Sequence, residues 1–495
     1  MNALEKYNRA QEQLKNYRYA ANIISFDEAT VCPKKDKRRS NEVSNYFSKL
    51  ELDIRSSDEY FYNLEKILNT LNVDEITKKK IKKEYIELEK IRRVPKELLF
   101  EEYDLIAETG VSWEEARESL DYSIFEANLD KLVKMEKKRL SYLENKYKGY
   151  DVLLDEMEDD FTQADYDSFF ELLESELKPL LDKVLKMPKK YNESIKNVKF
   201  DIDKQKKLTK KICEIMGYTD EVGVVAETIH PFTNGINSND VRTTTRYDES
   251  LLFSNLYSVM HEVGHALYEL QINPIFSETS LGGGASCALH ESQSRFFENL
   301  IGRSKEFVQF LYPILKDLFK EELKDYTFDD IYYYINDVSN QFIRTEADEL
   351  TYPFHIIIRY KIEKMLFNNE IEVKDINDKF NELFYDYFKI KPSNKKEGCF
   401  QDVHWSSGFG YFPTYALGSA ISSELLYYME KDLDVKKLSK EGNLAPIISW
   451  LKEHVHQYGA SLKNKEVIKK ATGEDFNPKY YVEYLKDKFK KIYNL

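Results

Sequence analysis

The sequence predicts a mainly α-helical protein with a small β element. Glycine (17) and proline (12) are scarce in 495 residues, and these are the residues that break helices. Residues 1–200 carry long stretches of apolar side chains at helical spacing. Between 217 and 250 the composition changes, and Gly, Asn, Thr and β-branched residues concentrate in "GYTDEVGVVAETIHPFTNGINSNDVRTTTRYDES".

In the helical part, "ANLDKLVKMEKKRLSYLENKY" is representative: Leu129, Leu132, Val133, Leu140 and Leu143 trace one face. The opposite face is Lys and Glu three or four apart, which reads as a solvated surface. "NESIKNVKFDIDKQ" reads as a loop into another helix. Over 217–250 the pattern predicts a short hairpin or small sheet, with its turn at Asn234-Gly235 or at Asn237-Ser238-Asn239. Helices resume at 251. A second irregular stretch, "PSNKKEGCFQDVHWSSGFGYFPTY" (392–415), is rich in Gly and aromatics, and the rest to Leu495 is helical. No internal repeat, low-complexity tract or clear linker divides the chain. It reads as one large helical unit over 1–495, with room for two lobes around a cleft.

Composition narrows the function classes. Hydrophobic residues make up 42% and charged residues 32%, the balance of a globular protein with a wet surface. A net charge of −14 argues against a nucleic-acid partner. No run of 18 apolar residues occurs, so no membrane span is expected. The N-terminal "MNALEKYNRAQEQLKNYRYA" has no apolar segment of the secretory type. Cys32, Cys213, Cys287 and Cys399 form no CxxC pair and read as thiols of a reducing compartment. The expected location is the cytoplasm.

The chemistry is concentrated in "HEVGH", residues 261–265, inside "LLFSNLYSVMHEVGHALYELQ". Leu252, Leu256, Val259, Val263, Leu267 and Leu270 are close to helical spacing, so HEVGH sits on a helix. His261 and His265, four apart, then point at one ion, while Glu262 lies about 100° round the axis, free to face a metal-bound water. A chance HExxH is expected in roughly one such sequence in a hundred. The site needs a third ligand, and no histidine follows at the three-His spacing. Glu291, in "ASCALHESQSRFFENLIG" (285–302), is the expected third ligand, with Glu298 and Glu278 as weaker candidates. Cys287, one turn before Glu291, reads as a small packing residue. Two His and one carboxylate leave a position for water, the arrangement of a catalytic zinc site. Glu262 would be the general base, and His404, Tyr411 and Tyr415 of "HWSSGFGYFPTY" are candidate donors to a developing oxyanion.

HEVGH is followed in order by "HESQSR" (290–295), "IRTEAD" (343–348) and "FQDVHW" (400–405), and preceded by "HPFT" (230–233) and "DVRTT" (240–244). This series resembles the successive motifs of the carboxypeptidase Taq family. "IISFDEAT" near the N-terminus and "WLKEHVHQYG" near the C-terminus are also similar, so the resemblance spans nearly the whole chain. The chain departs from the family pattern in "GVVAETIHPF", which lacks an Arg and an Asp before HPF, and in Phe26, which stands for a tryptophan.

The resemblance implies a mainly α-helical body split by a deep groove, similar to neurolysin and angiotensin-converting enzyme. It implies a single metallocarboxypeptidase catalytic domain over 1–495, working as a homodimer on peptides with a free C-terminus. Zinc, one per subunit, is the metal implied, with cobalt as an alternative. Residue by residue it implies His261, His265 and Glu291 as ligands, Glu262 as general base, and Arg344 as reader of the substrate α-carboxylate, a task a guanidinium performs bidentately. Asp240, Arg242, Thr244, His230 and Gln401 would line the substrate site. The competing readings are an oligoendopeptidase of the neurolysin-like group, without the carboxylate clamp, and a non-catalytic peptide-binding protein.

Overall fold

The computed structural model describes residues 1–228 and 230–495. Among these are twenty α-helices and a sheet of three short strands. The representative helix Tyr122–Leu143 buries Leu129, Leu132, Val133, Leu140 and Leu143 on one face. It starts at the Asp121 side chain, which accepts from the Ser123 N–H, a common way to satisfy a free helix end.

Helices Ala3–Thr30, Asp58–Thr70 and Glu75–Arg93 share a small core of Tyr7, Leu14, Tyr60, Leu64, Ile67, Ile81 and Leu88. Within it Glu84 is buried and accepts from Tyr7, Gln11 and Tyr60. A second, much larger core runs from Val94 to Tyr493. Its most deeply buried helices are Leu252–Gln271, Tyr352–Phe367 and Phe412–Asp432. These three carry HEVGH, Arg359 with Glu363, and Tyr415. Helices apolar on nearly every side belong in the interior.

The strands are β1 (Val225–Glu227), β2 (Thr233–Asn237) and β3 (Asp240–Thr245). β3 is central, parallel to β1 and antiparallel to β2. The hairpin turn is Ser238-Asn239, where the Asn237 side chain accepts from the Asn239 N–H. The other expected turn, Asn234-Gly235, lies inside β2 instead, paired with Arg242 and Val241. The sheet is tied to the HEVGH helix by Asn255, which donates to the Thr245 hydroxyl (2.9 Å) and the Arg246 carbonyl (3.0 Å). The second irregular stretch is shorter than expected. Helix Phe412–Asp432 already begins at 412, with Pro413 in its first turn, where a missing N–H costs nothing.

Candidate active site

HEVGH lies in the middle of helix Leu252–Gln271, and Glu291 lies in helix Cys287–Arg295, which the Ser286 side chain caps. Gly264 faces the backbone of Gln293 and Ser294, leaving no space for a side chain. That contact lets the two helices approach until Glu291 Oε2 is 3.7 Å from His261 Nε2 and 3.5 Å from His265 Nε2. Among the described residues this is the group of His, Cys, Asp and Glu whose ligand atoms converge, all within 4.8 Å of one another.

Each of the three is held from behind. His261 Nδ1 is 2.9 Å from Glu298 Oε2. His265 Nδ1 is 2.6 Å from His290 Nδ1, and His290 Nε2 is 2.8 Å from Glu269 Oε1. Arg295 Nε donates to Glu291 Oε1 at 2.6 Å. The outer nitrogens and oxygen are thereby occupied, and Nε2, Nε2 and Oε2 are left facing one another, the arrangement that orients ligands for a metal. Glu298, a weaker candidate as ligand, stands behind His261. It rides on the π-helical turn Phe296–Gly302 that continues the Glu291 helix, a distortion frequent at functional sites. Glu278 lies on an exposed loop at φ 55°.

Electrostatics suit a cation. Burial works to raise the Glu291 carboxyl, but Arg295, His261 and His265 outweigh it and hold it well below the usual carboxylate range. Burial lowers the His265 imidazole to about 4, so it is neutral and able to coordinate. For His261 burial is outweighed by the neighbouring Glu291 and Glu298, and its pKa is raised. Two imidazole nitrogens and one carboxylate oxygen, each braced from outside, fit a divalent metal ion.

Glu262 is buried, and burial raises its carboxyl above the usual range, with His261 and Thr233 pulling it back. The Thr233 hydroxyl, at the start of β2, reaches its Oε2 (2.7 Å) and its backbone carbonyl (2.9 Å). The sheet thus fixes the one carboxylate of HEVGH.

The aromatic donors lie on the far side of Glu291. Gly418 packs against the Glu291 Cβ, and Tyr415 and Tyr411 sit three and seven residues before it on the same helical face, about 5 and 10 Å along. Tyr415 Oη is 3.0 Å from His404 Nε2, and the Tyr411 and Tyr415 rings are 5.0 Å apart. Burial lowers His404 to about 4. Arg344 lies 4.9 Å above the Tyr415 ring. Its Nε donates to Asp402 Oδ1 (2.9 Å), whose Oδ2 takes Arg359 Nε (2.5 Å). Tyr352 Oη connects Arg344 (3.4 Å) to Arg295 (2.8 Å), and so to Glu291.

The remaining expected substrate contacts are spread differently. Arg242 forms a two-point pair with Asp240 (2.9 and 2.8 Å) and lies over Phe26. Thr244 is buried, and its hydroxyl bonds the Phe232 N–H and Thr228, so it holds those two residues against β3. Gln401 accepts from the Arg344 N–H and donates to three carbonyls; it supports Arg344 and has no hydrogen left for a substrate tail. His230 is exposed, and its carbonyl accepts from Thr228. Sequence reasoning missed Asp402, Arg359, Tyr352, His290, Glu269 and Arg295. Arg295 and Glu269 had a local signal, four residues after Glu291 and His265 respectively, and His290 and Asp402 lie inside the quoted motifs.

The family model described as carboxypeptidase Taq (M32) metallopeptidase matches residues 6–489. Carboxypeptidase 1 of Bacillus subtilis is 37% identical over 492 residues, covering 98% of this chain and 97% of that protein. Thermostable carboxypeptidase 1 of Pyrococcus furiosus is 36% identical over 479 residues, covering 95% of each. The crystal structure of the M32 carboxypeptidase from Deinococcus radiodurans superposes with a TM-score of 0.95 at 27% identity, over 100% of both chains.

Proposed function

The chain belongs to the carboxypeptidase Taq (M32) metallopeptidase family, and on that premise we propose how its residues divide the work. The protein is a metal-dependent carboxypeptidase; the oligoendopeptidase reading falls with the family match. The observation that carries the site assignment is the convergence of His261, His265 and Glu291 with Glu262 beside them. We assign the three as ligands of one zinc ion, with cobalt as an alternative, on the chemistry of the donor set.

When bound, the ion supplies Lewis acidity to a water and to the scissile carbonyl. Glu262 takes the proton of the attacking water and returns it to the leaving amine. Its raised pKa suits a group that both takes and gives a proton. Tyr411 and Tyr415 donate to the oxygen on which charge develops, with His404 orienting Tyr415. Arg344 reads the free α-carboxylate, held in place by Asp402 and Gln401. Asp240, Arg242 and His230 form the wall beyond β2.

No helix is long and apolar enough to cross a membrane among the described residues. Four cysteines without a disulfide support a cytoplasmic location, and the family resemblance supports a homodimer built from single-domain subunits.

The test is a mass-spectrometric time course on an unblocked peptide and its C-terminal amide. A ladder shrinking from the C-terminus of the free acid alone is expected. Equal cleavage of the amide would remove the carboxylate clamp from the mechanism.

A further inference from the structure

The turn between His404 and Tyr411 is held by one side chain from another element. Glu363, on helix Tyr352–Phe367, is 1% exposed. Its Oε1 accepts from Trp405 Nε1 at 2.9 Å. Its Oε2 accepts from the Gly410 N–H at 2.7 Å and from the Tyr150 hydroxyl at 2.8 Å. Trp405 immediately follows His404, and Gly410 immediately precedes Tyr411. One carboxylate therefore ties the two ends of the turn together, an oxygen for each end.

The other side of the turn is equally constrained. Gly410 has φ +80°, and a Cβ there would stand 2.9 Å from Leu153 Cγ. The turn is thus pressed between helix Tyr150–Met157 and Glu363. All three donors to Glu363 are neutral. A buried carboxylate without a cation is costly, and burial pushes this one up to about 7. A neutral glutamine would avoid that cost, but it offers one acceptor oxygen and turns an N–H₂ toward another donor. Only the carboxylate satisfies both ends of the turn at once.

We propose that Glu363 is a positioning residue for catalysis: it sets the separation and direction of His404 and Tyr411 by closing the 405–410 turn. The inference rests on the reading of Tyr411 as a donor to the reacting carbonyl and of His404 as the group that orients the second donor, Tyr415. A misplacement of about 1 Å in such a group costs on the order of a hundredfold in rate.

The test compares wild type, Glu363→Gln, Tyr411→Phe, the double variant and Trp405→Phe, each measured for kcat, KM, bound metal and melting temperature. In Glu363→Gln, kcat falls about ten- to a hundredfold, while KM stays within about threefold and metal content is unchanged. The loss caused by Tyr411→Phe in wild type shrinks to less than about threefold in the Glu363→Gln background, because residues that act together are not additive. Unchanged kcat, full additivity or loss of metal in Glu363→Gln would each overturn the inference. If that variant does not fold, Trp405→Phe decides: it removes one of the three bonds and keeps a buried aromatic ring. A severalfold fall in its kcat at constant KM supports the role, and an unchanged kcat overturns it. A wild-type enzyme that trims peptides but loses nothing on Tyr411→Phe would remove the premise. Absence of trimming by wild type would instead sink the functional reading itself.

Discussion

Gly264 lies against the Gln293 carbonyl so closely that a Cβ on it would stand 2.7 Å from that oxygen, and 2.8 Å from the neighbouring Ser294 Cα. Both atoms are backbone and cannot swing aside. Gly264→Ala is therefore expected to push the two helices apart and displace Glu291 from the histidine pair. Overpacking of this kind costs about 1–3 kcal/mol of stability. Bound metal measured by elemental analysis should fall well below one per subunit, together with kcat/KM.

Replacing Glu262 by Gln keeps the shape and removes the proposed base. A loss of about a hundred- to ten-thousandfold in kcat is expected with metal content preserved, since Glu262 is not among the proposed ligands. Thr233→Val, which deletes the hydroxyl on Glu262 Oε2, should have a smaller effect in the same direction. Full activity of the Gln variant in a peptide assay would sink the base assignment.

For Arg344 the structure separates binding from folding. Arg344→Ala should lower kcat/KM on free-acid peptides by on the order of 1.5–3 kcal/mol, the range for charged hydrogen bonds. Asp402→Ala leaves both Arg344 and the fully buried Arg359 without their carboxylate, and breaking such a pair costs about 3–5 kcal/mol of stability. Chemical denaturation should therefore rank Asp402→Ala as much the less stable of the two.

Removal of metal by a chelator should abolish hydrolysis and lower the melting temperature. A ligand at a hundred times its Kd stabilises by about 2.7 kcal/mol, so the shift should be visible in a thermal melt and reverse on adding zinc. A chelated protein that still trims peptides would contradict the metal requirement.

A pH effect is expected from Glu158, which is fully buried and accepts from Asn464 (2.6 Å). Burial raises its pKa from 4.5 to about 7. Between those values the folded protein keeps the proton that the unfolded chain releases. Stability therefore falls as pH rises through that window and levels off above 7. Glu158→Gln should remove this group's share of the slope and stabilise the protein at pH 8 by on the order of 2–3 kcal/mol. Denaturation curves at pH 5 and pH 8 measure both.

Much of the local structure was legible in the sequence. Leu129 to Leu143 marked a buried face because side chains three and four apart share one side of a helix. The same periodicity put His261 and His265 together and turned Glu262 away from them. The sheet was legible as a region with two candidate turns: Asn234-Gly235 is a strong turn signal, yet the register of β2 on β3 places it inside the strand and sets the turn four residues further on, at Ser238-Asn239, the other candidate.

The sequence by itself determined the helical class, the HEVGH pair and the family. These depend on spacing along one chain segment, which the 3.6-residue repeat converts directly into geometry. Tertiary structure decided which glutamate faces the histidines and which stands behind them. It also decided that Arg344 is held by Asp402, 58 residues away, and that Glu363 grips Trp405 and Gly410 from 42 and 47 residues away. Such partners meet because packed helices bring them together, and close approaches like that of Gly264 to Gln293 fix how near. No local period encodes that distance.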